Sequence, residues 1–162
     1  MSKIKNWLEA LEWREKIREK GLKVVFTNGC FDILHLGHVK LLEEARLLGD
    51  KLIVGLNSDF SVKKIKGDSR PIRDEMERAE ILAGLSAVDV VVIFTEPDPL
   101  KLITYLKPDI LVKGGDWKVE NIIGADVVKS SKGRVMTIPL FEGKSTTGII
   151  EKIKNSGYQK RG

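Results

Sequence analysis

Residues 29–38 read Gly29-Cys30-Phe31-Asp32-Ile33-Leu34-His35-Leu36-Gly37-His38, after the apolar run Val24-Val25-Phe26 and before an amphipathic run, Val39 to Leu48. A strand that stops at glycine and is followed by a helix is a common phosphate-binding geometry. The free N–H groups and the dipole at the helix start favour an anion there. The two histidines of the chain lie three residues apart at this start, and therefore on one helix face. The stretch predicts a phosphate site with two imidazole donors.

The composition predicts one folded domain. The chain has 162 residues, of which 42% are hydrophobic and 31% are charged, which suits a core of ordinary size. The sequence has no apolar run of the roughly 20 residues that span a bilayer. Its N-terminus lacks the apolar core of a signal peptide, so we expect a cytoplasmic protein that does not act in a membrane. A single cysteine excludes an intrachain disulfide and a cysteine-rich zinc site.

The charge balance is basic, with a net charge of +5 and a sequence pI of about 9.3. Acidic residues interleave with the basic ones, and the densest basic cluster, residues 63–70, is short and is predicted to be a loop. A small polyphosphate ligand explains such a cluster as well as RNA does. We therefore do not expect nucleic acid to be the main partner.

Strand and helix patterns alternate along the chain. Strands are predicted at 23–27, 51–56, 88–94, 109–113 and 134–138. Helices are predicted at 3–20, at 37–48, from Asp74 to about Gly84, from Asp98-Pro99 to Lys107, and from Thr146 to about Lys154. Short apolar strands separated by helices predict an α/β fold, with a five-stranded parallel sheet covered by helices on both faces.

Polar and glycine residues follow the predicted strands. Ligands of such sheets bind beyond the carboxyl ends of the strands. The segments that this rule brings together are 28–32, 57–59, 95–96, 113–116 and the stretch before Ser145.

The motif in residues 29–38 resembles the GxFDxxHxGH motif of the HIGH-type nucleotidyltransferases. These enzymes transfer a nucleoside monophosphate from a nucleoside triphosphate to a phosphate-bearing acceptor. Further segments follow in order at 56–59, 62–71, 110–116 and 145–150. Together they resemble the adenylyltransferase domains of the ADP-heptose synthase family, over roughly residues 22–155. The resemblance implies a Rossmann-like nucleotidyltransferase domain at 22–155, an N-terminal helical extension at 1–21 and a frayed tail at 156–162.

The resemblance and the strand-end rule together suggest the site residues. The expected catalytic residues are His35, His38 and Lys66. Lys64 and Lys66 are expected to lie in a loop that folds over a triphosphate. The expected nucleotide-binding residues are Asn28, Gly29, Cys30, Phe31, Gly37, Lys64, Arg78, Ser145, Thr146 and Thr147. Acceptor or nucleotide contacts are expected from Asp32, Asn57, Arg70, Lys113, Gly114, Gly115 and Asp116. No metal ligand is assigned.

The implied reaction transfers AMP from ATP to heptose 1-phosphate and gives ADP-heptose, for the lipopolysaccharide inner core. Pyrophosphate would leave with Mg²⁺. The substrates would be ATP and a sugar 1-phosphate. The resemblance also suggests a homodimer, for which the apolar face of the first helix is a candidate surface. The roughly 20 residues before the first strand are too few for a sugar kinase domain, so we expect a separate kinase to make the phosphosugar.

Other functions remain open at this point. Cytidylyltransferases acting on glycerol 3-phosphate or another polyol phosphate usually carry Arg-Thr-x-Gly-Ile-Ser-Thr-Thr, where this chain has Leu140-Phe141-Glu142-Gly143-Lys144-Ser145-Thr146-Thr147. An aminoacyl-tRNA synthetase-like protein would also use a HIGH tetrapeptide, but the chain has no Lys-Met-Ser-Lys-Ser segment. A non-catalytic nucleotide- or RNA-binding module is the alternative from another class.

Overall fold

The computed structural model describes residues 2–157 and contains a five-stranded sheet in which every pairing is parallel. The strands are β1 (Val24–Gly29), β2 (Lys51–Asn57), β3 (Val90–Phe94), β4 (Ile110–Gly114) and β5 (Arg134–Ile138). Their spatial order is β3-β2-β1-β4-β5. Strands β2 and β3 are added on one side of β1, and β4 and β5 on the other, so the strand order reverses between β1 and β4. Open α/β sheets bind their ligands at such a point. The predicted α/β class and five-stranded parallel sheet are confirmed.

The described helices are α1 (Trp7–Glu19), α2 (Leu36–Leu47), α3 (Asp59–Lys66), α4 (Glu75–Ala83), α5 (Leu100–Leu106), α6 (Ala125–Ser130) and α7 (Thr146–Asn155), with a 3-10 turn at Val119–Asn121. None of the helices within residues 2–157 has the length and apolar character that a membrane crossing requires. The predicted frayed tail lies largely outside the described residues, which end at residue 157.

The core has two halves, one on each face of the sheet. Val24 and Phe26 of β1 pack with buried residues of α1, α5 and α6, whereas Val25 between them packs with buried residues of α2 and α4. Successive strand residues point to opposite faces, so the consecutive apolar residues Val24, Val25 and Phe26 allow β1 to contribute to both halves.

The N-terminal residues differ from the prediction of a helix over 3–20. Helix α1 begins at Trp7, after an Asn6 cap, and the residues before it are extended. Ile4 forms a parallel bridge to Val91, and the N–H of Lys5 donates to the carbonyl of Val91. This pairing satisfies backbone groups at the open edge of β3, which a longer helix would leave exposed.

Helix α1 packs its apolar face on the sheet. Ala10 and Ile17 are buried, Trp7 and Trp13 pack against the same half of the core, and the Trp7 indole N–H donates to the carbonyl of Ile93 at 3.0 Å. The surface considered for dimerisation is therefore largely covered by the chain itself. A homodimer through some other surface stays a prediction.

The first half of the basic segment 63–70, which was predicted to be a loop, is helical. Helix α3 spans Asp59–Lys66, is capped by the Ser58 hydroxyl, which accepts from the N–H of Ser61, and is anchored by buried Val62. It ends at Gly67, whose φ of +92° suits glycine. The sequence did not predict this helix, because its lysines make the segment polar and Val62 is its single buried apolar residue. Helix α6 was also missed, since it has only 6 residues.

Candidate functional site

Two adjoining cavities lie at the carboxyl ends of the strands, beside β1 and β4. We call the first, of about 240 Å³, the histidine cavity. It is lined by His35, Gly37, His38, Leu41, Lys66, Leu140, Phe141, Lys144, Ser145, Thr146 and Thr147. The second, of about 190 Å³, we call the strand-end cavity. It is lined by Asn28, Gly29, Cys30, Phe31, Asp32, His38, Leu41, Lys66, Lys113, Gly114, Leu140 and Thr146. The two cavities therefore share His38 and Lys66.

The two histidines form a stacked pair at the start of α2. Their ring centroids are 3.8 Å apart with an interplanar angle of 23°. The backbone N–H of His35 donates to Nδ1 of His38 at 3.4 Å. In the neutral ring this contact puts the proton on Nε2, so His38 is a hydrogen-bond donor at Nε2. The edge of Phe31, 5.1 Å away between centroids, supports the His38 ring from another side.

Both imidazoles are held in the neutral form. Burial lowers the pKa of His38 to about 4, and the charges of His35 and Lys66 act in the same direction. Burial also lowers the pKa of His35, with a further contribution from Lys144. A bound phosphate would oppose these effects by its negative charge. At neutral pH the pair is therefore a set of uncharged donors in a positive field.

Gly37 is required by its own neighbours. A Cβ at this position would lie 2.9 Å from Cε1 of His35 and 3.3 Å from Cβ of Lys144. Glycine is required at position 29 for a similar reason, because a Cβ there would lie 2.9 Å from the ring of Phe31. Phe31 itself adopts a φ of +46°, which is uncommon for an aromatic residue. Both glycines thus allow the rings of the motif to fold back over the backbone.

The start of α7 forms part of the lining of the histidine cavity. The Ser145 hydroxyl accepts from the N–H of Gly148 at 2.9 Å and caps the helix. The Thr146 hydroxyl donates to the carbonyl of Ile33 at 3.4 Å, which ties α7 to the loop after β1. The hydroxyls of Ser145 and Thr146, two of the three predicted to contact a phosphate, therefore form hydrogen bonds within the protein. The first N–H groups of α7 are the donors that favour an anion.

The two predicted lysines of α3 differ in position. Lys66 lines both cavities. Lys64 points elsewhere, with its Nζ 4.7 Å from the centroid of the Phe60 ring, and lines neither cavity. The sequence alone does not separate these residues, whereas the helical spacing of α3 turns them to different sides.

Asp32 is engaged within the protein. It accepts from Nε of Arg70 at 2.8 Å and from the N–H groups of Ile72 and Arg73, and its side chain is 1% exposed. Burial favours the neutral acid, but the hydrogen bonds from Arg73, Ile72 and Arg70 outweigh it and hold the pKa of Asp32 below its ordinary value. The pair fastens the loop after α3 to the floor of the strand-end cavity. The expectation that Asp32 and Arg70 contact a ligand directly is not supported by these contacts.

Arg78 and Asn57 also lie inside the protein. The Arg78 guanidinium donates to the carbonyls of Arg73, Cys30 and Asn57 and to the carboxylate of Asp59. Its side chain is fully buried. The Asn57 amide donates to Ser61, and neither residue lines the histidine or the strand-end cavity. The prediction of a phosphate contact from Arg78 is therefore corrected: Arg78 joins the ends of β1 and β2 to α3 and α4.

The segment after β4 divides between two cavities. Lys113 and Gly114 line the strand-end cavity, and Nζ of Lys113 lies 4.8 Å from the centroid of the Trp117 ring. Gly115 and Asp116 line a third cavity of about 350 Å³ next to Leu140. The predicted members of this segment are thus near the site but do not share one compartment.

Cys30 lies in the wall of the strand-end cavity, where burial raises the pKa of its thiol. A thiol that resists ionisation is a poor nucleophile. Cys30 is therefore not expected to act as a nucleophile, and its contact with a nucleotide stays a prediction.

Four residues of the histidine cavity were missed, namely Leu41, Leu140, Phe141 and Lys144. Leu41 was treated only as part of an amphipathic helix. The segment before Ser145 was expected near the site, but no single residue of it was chosen. Only the packing of this segment against α2 brings Lys144 to Gly37.

The residues around the cavities do not form a dedicated metal cage. Within residues 2–157, no cluster of three or more histidine, cysteine or carboxylate side chains is arranged to hold a metal ion. The carboxylate in the strand-end cavity, Asp32, already accepts hydrogen bonds from Arg70, Ile72 and Arg73.

Comparison with known proteins identifies the family. The cytidylyltransferase-like family matches residues 26–152. The bifunctional protein HldE of Trichlorobacter lovleyi is 57% identical over 94% of this chain, and that of Syntrophotalea carbinolica is 60% identical over 84%. The chain spans about a third of the length of these relatives, 31% and 28% respectively.

Solved structures agree with this similarity. The lipopolysaccharide core biosynthesis protein from Thermoplasma volcanium superimposes with a TM-score of 0.60 and 31% identity, over 76% of this chain and all of that one. A pantoate-beta-alanine ligase from Francisella tularensis, 20% identical over 86% of this chain and 67% of its own, shares the fold with a TM-score of 0.62. The chain belongs to the cytidylyltransferase-like family of nucleotidyltransferases.

Proposed function

We propose that this chain transfers AMP from ATP to heptose 1-phosphate, giving ADP-heptose and pyrophosphate. The observation that carries the proposal is the wall of His38 and Lys66 between the two cavities. A triphosphate in the histidine cavity and a sugar phosphate in the strand-end cavity would bring their reacting phosphates together at this wall.

The reaction needs positioning and charge stabilisation more than covalent chemistry. A phosphate oxygen of the sugar attacks the α-phosphorus of ATP, the bond from that phosphorus to the bridging oxygen breaks, and pyrophosphate leaves with the electron pair. Nε2 of His38 would donate to an oxygen of the α-phosphate, and Lys66 would neutralise the charge that both phosphates bring. The N–H groups at the start of α7 would bind the remaining phosphates.

Mg²⁺ belongs to this proposal as part of the nucleotide substrate. The ion prefers oxygen ligands and commonly binds through substrate phosphates with few protein ligands. That preference fits a pocket whose charged side chains are mainly lysines. When bound, the ion would neutralise charge on the phosphates.

The choice of ATP and heptose rests on resemblance and similarity. The segments Lys113-Gly114-Gly115-Asp116 and Ser145 to Ile150 follow the pattern of the heptose adenylyltransferases, and Leu140 replaces the arginine of the glycerol 3-phosphate cytidylyltransferase pattern. The similarity to a lipopolysaccharide core biosynthesis protein supports the same choice. A cytoplasmic location remains a prediction.

The deciding experiment is a pyrophosphate-release assay in which ATP and CTP are each combined with heptose 1-phosphate, in both anomers, and with glycerol 3-phosphate. We expect release with ATP and one anomer of heptose 1-phosphate. Faster turnover of CTP with glycerol 3-phosphate would establish the cytidylyltransferase alternative instead. RNA binding that falls steeply with salt, without any release, would establish the non-catalytic module.

A further inference from the structure

Lys144 lies in the histidine cavity, but its role there is not explained by the motif. It precedes the Ser145 cap of α7, and its Cβ lies 3.3 Å from the position that a Cβ on Gly37 would occupy. The lysine thus lies against the first turn of α2, in the cavity that Lys66 also lines.

The charge of Lys144 is available to a ligand. Within the part of the chain that the structure describes, Lys144 forms no ion pair. Its charge is nevertheless felt in the cavity, because it contributes to the lowered pKa of His35. The lining of the histidine cavity contains no carboxylate.

The backbone around Lys144 is shaped to present it. Gly143 has a φ of +71°, a conformation that few other residues adopt, and it turns the chain just before the lysine. Helix α7, with 10 residues, starts two positions later. The ammonium group and the free N–H groups of the first turn therefore serve the same end of the cavity.

The buried atom Nδ1 of His35 is a second observation at this end. It has no hydrogen-bond partner within residues 2–157, although His35 stacks on His38. Lys144 and His35 both line the histidine cavity and are absent from the strand-end cavity, whereas His38 and Lys66 line both. Lys144 and His35 therefore lie on the side of the shared residues His38 and Lys66 that faces away from the lining of the strand-end cavity.

We propose that Lys144 binds the phosphates that leave as pyrophosphate, and so makes the site prefer a nucleoside triphosphate to a monophosphate. This inference rests on the proposed function and adds a residue to it. The ammonium group would neutralise the charge that collects on the pyrophosphate when the bond from its bridging oxygen to the α-phosphorus breaks.

The test is calorimetric binding of inorganic pyrophosphate, ATP and AMP to the full chain and to the variant Lys144→Gln. We expect the variant to lose about tenfold to a hundredfold in affinity for pyrophosphate and ATP, the range for one charge-assisted hydrogen bond. Affinity for AMP should change less than twofold, because AMP does not reach this end of the cavity. Lys144→Arg should restore most of the loss.

Lys152→Gln is the matched control, since Lys152 is an exposed lysine of the same helix outside both cavities. Unchanged pyrophosphate affinity in Lys144→Gln, or an equal loss for AMP, would overturn the inference. If the wild-type chain releases pyrophosphate from ATP and Lys144→Gln has the same affinities and the same release, the role of Lys144 is refuted and the proposed function stands. If the wild-type chain binds neither ATP nor pyrophosphate, the proposed function fails with it.

Discussion

Charged residues at the two ends of the parallel sheet differ in how they are partnered. At the amino end, each of Asp50, Asp89 and Asp109 directly precedes a strand and accepts an N–H at the start of a neighbouring strand, at 2.7–2.9 Å. Asp89 and Asp109 are also ion-paired, with Lys51 and Arg46 and with Arg14 respectively. The carboxylates of these three aspartates are therefore satisfied by donors within the protein.

At the carboxyl end the pattern is reversed. Lys66, Lys113 and Lys144 have no carboxylate partner within residues 2–157. Within the same residues, two carboxylates at this end are ion-paired as at the amino end: Asp32 with Arg70 and Asp59 with Arg78. Charge that the protein satisfies itself holds the fold together, whereas charge left open at a cavity indicates an anionic ligand.

The largest expected effect belongs to the amino end. Asp109→Asn removes the charge that faces the fully buried side chain of Arg14, at 3.1 Å. Leaving a buried charge unpaired costs about 3–5 kcal/mol in the free energy of unfolding. Urea denaturation measures this loss. Turnover per folded molecule should stay near the wild-type value, and a selective loss of turnover with normal stability would contradict the division between the two ends.

The reverse result is expected for the histidines. His38→Ala and His35→Ala should each lower kcat by about 10²–10³, the usual cost of removing one preorganised donor. The urea midpoint should move little in comparison with Asp109→Asn. His38→Gln, which keeps a donor, should recover part of the lost activity. Near-normal turnover in both alanine variants would refute the site.

Lys66 and Lys64 provide a matched pair on one helix. Lys66→Ala removes a charge that both cavities share, and we expect kcat/KM to fall about tenfold to a hundredfold. Lys64→Ala removes only an exposed contact with Phe60 and should leave kcat/KM within about twofold. Similar losses in the two variants would mean that general positive charge, and not position, matters at this end.

The smallest effect is a pH dependence of stability. The folded-state pKa of His38, about 4, lies below its ordinary value. Between about pH 6.5 and 4 the unfolded chain therefore binds more protons, so this contribution to stability is complete above that window and is lost as the pH falls through it. With allowance for solvent screening of a partly exposed ring, we expect a loss of about 1–2 kcal/mol from pH 7 to 5.

Urea denaturation at the two pH values measures this loss, and His38→Asn is the comparison. The variant should show a smaller fall than the wild type. An equal fall in both proteins would place the pH dependence elsewhere.

The sheet could be predicted because each of its strands is a short apolar run that the local sequence marks. The five strands begin and end within about two residues of the predicted bounds. Helix α3 could not be predicted in this way, because its lysines face solvent and its single anchor, Val62, is buried only after the chain folds against β2. The 3–20 helix was predicted too long because the edge pairing of Ile4 is a non-local contact.

The candidate site was predicted in part. His35, His38, Lys66 and the start of α7 were predicted from the resemblance and the strand-end rule, and they line the histidine cavity. Arg78 has the residue type that a phosphate contact would have, and it lies close to the predicted site. Its N–H groups, however, donate to three carbonyls and to Asp59. Side-chain type states what a residue can donate, but only the packed structure shows which acceptor is nearest.

The sequence by itself determined the α/β class, the edge of the sheet at which the two cavities lie and the common face of the two histidines. Those properties follow from periodicity and from the fixed geometry of strands and helices. The tertiary structure decided that Lys66 and not Lys64 faces the cavities, that Arg78 and Asp32 are structural, and that Lys144 meets Gly37. These outcomes depend on contacts between segments far apart in the chain, which local sequence patterns do not encode.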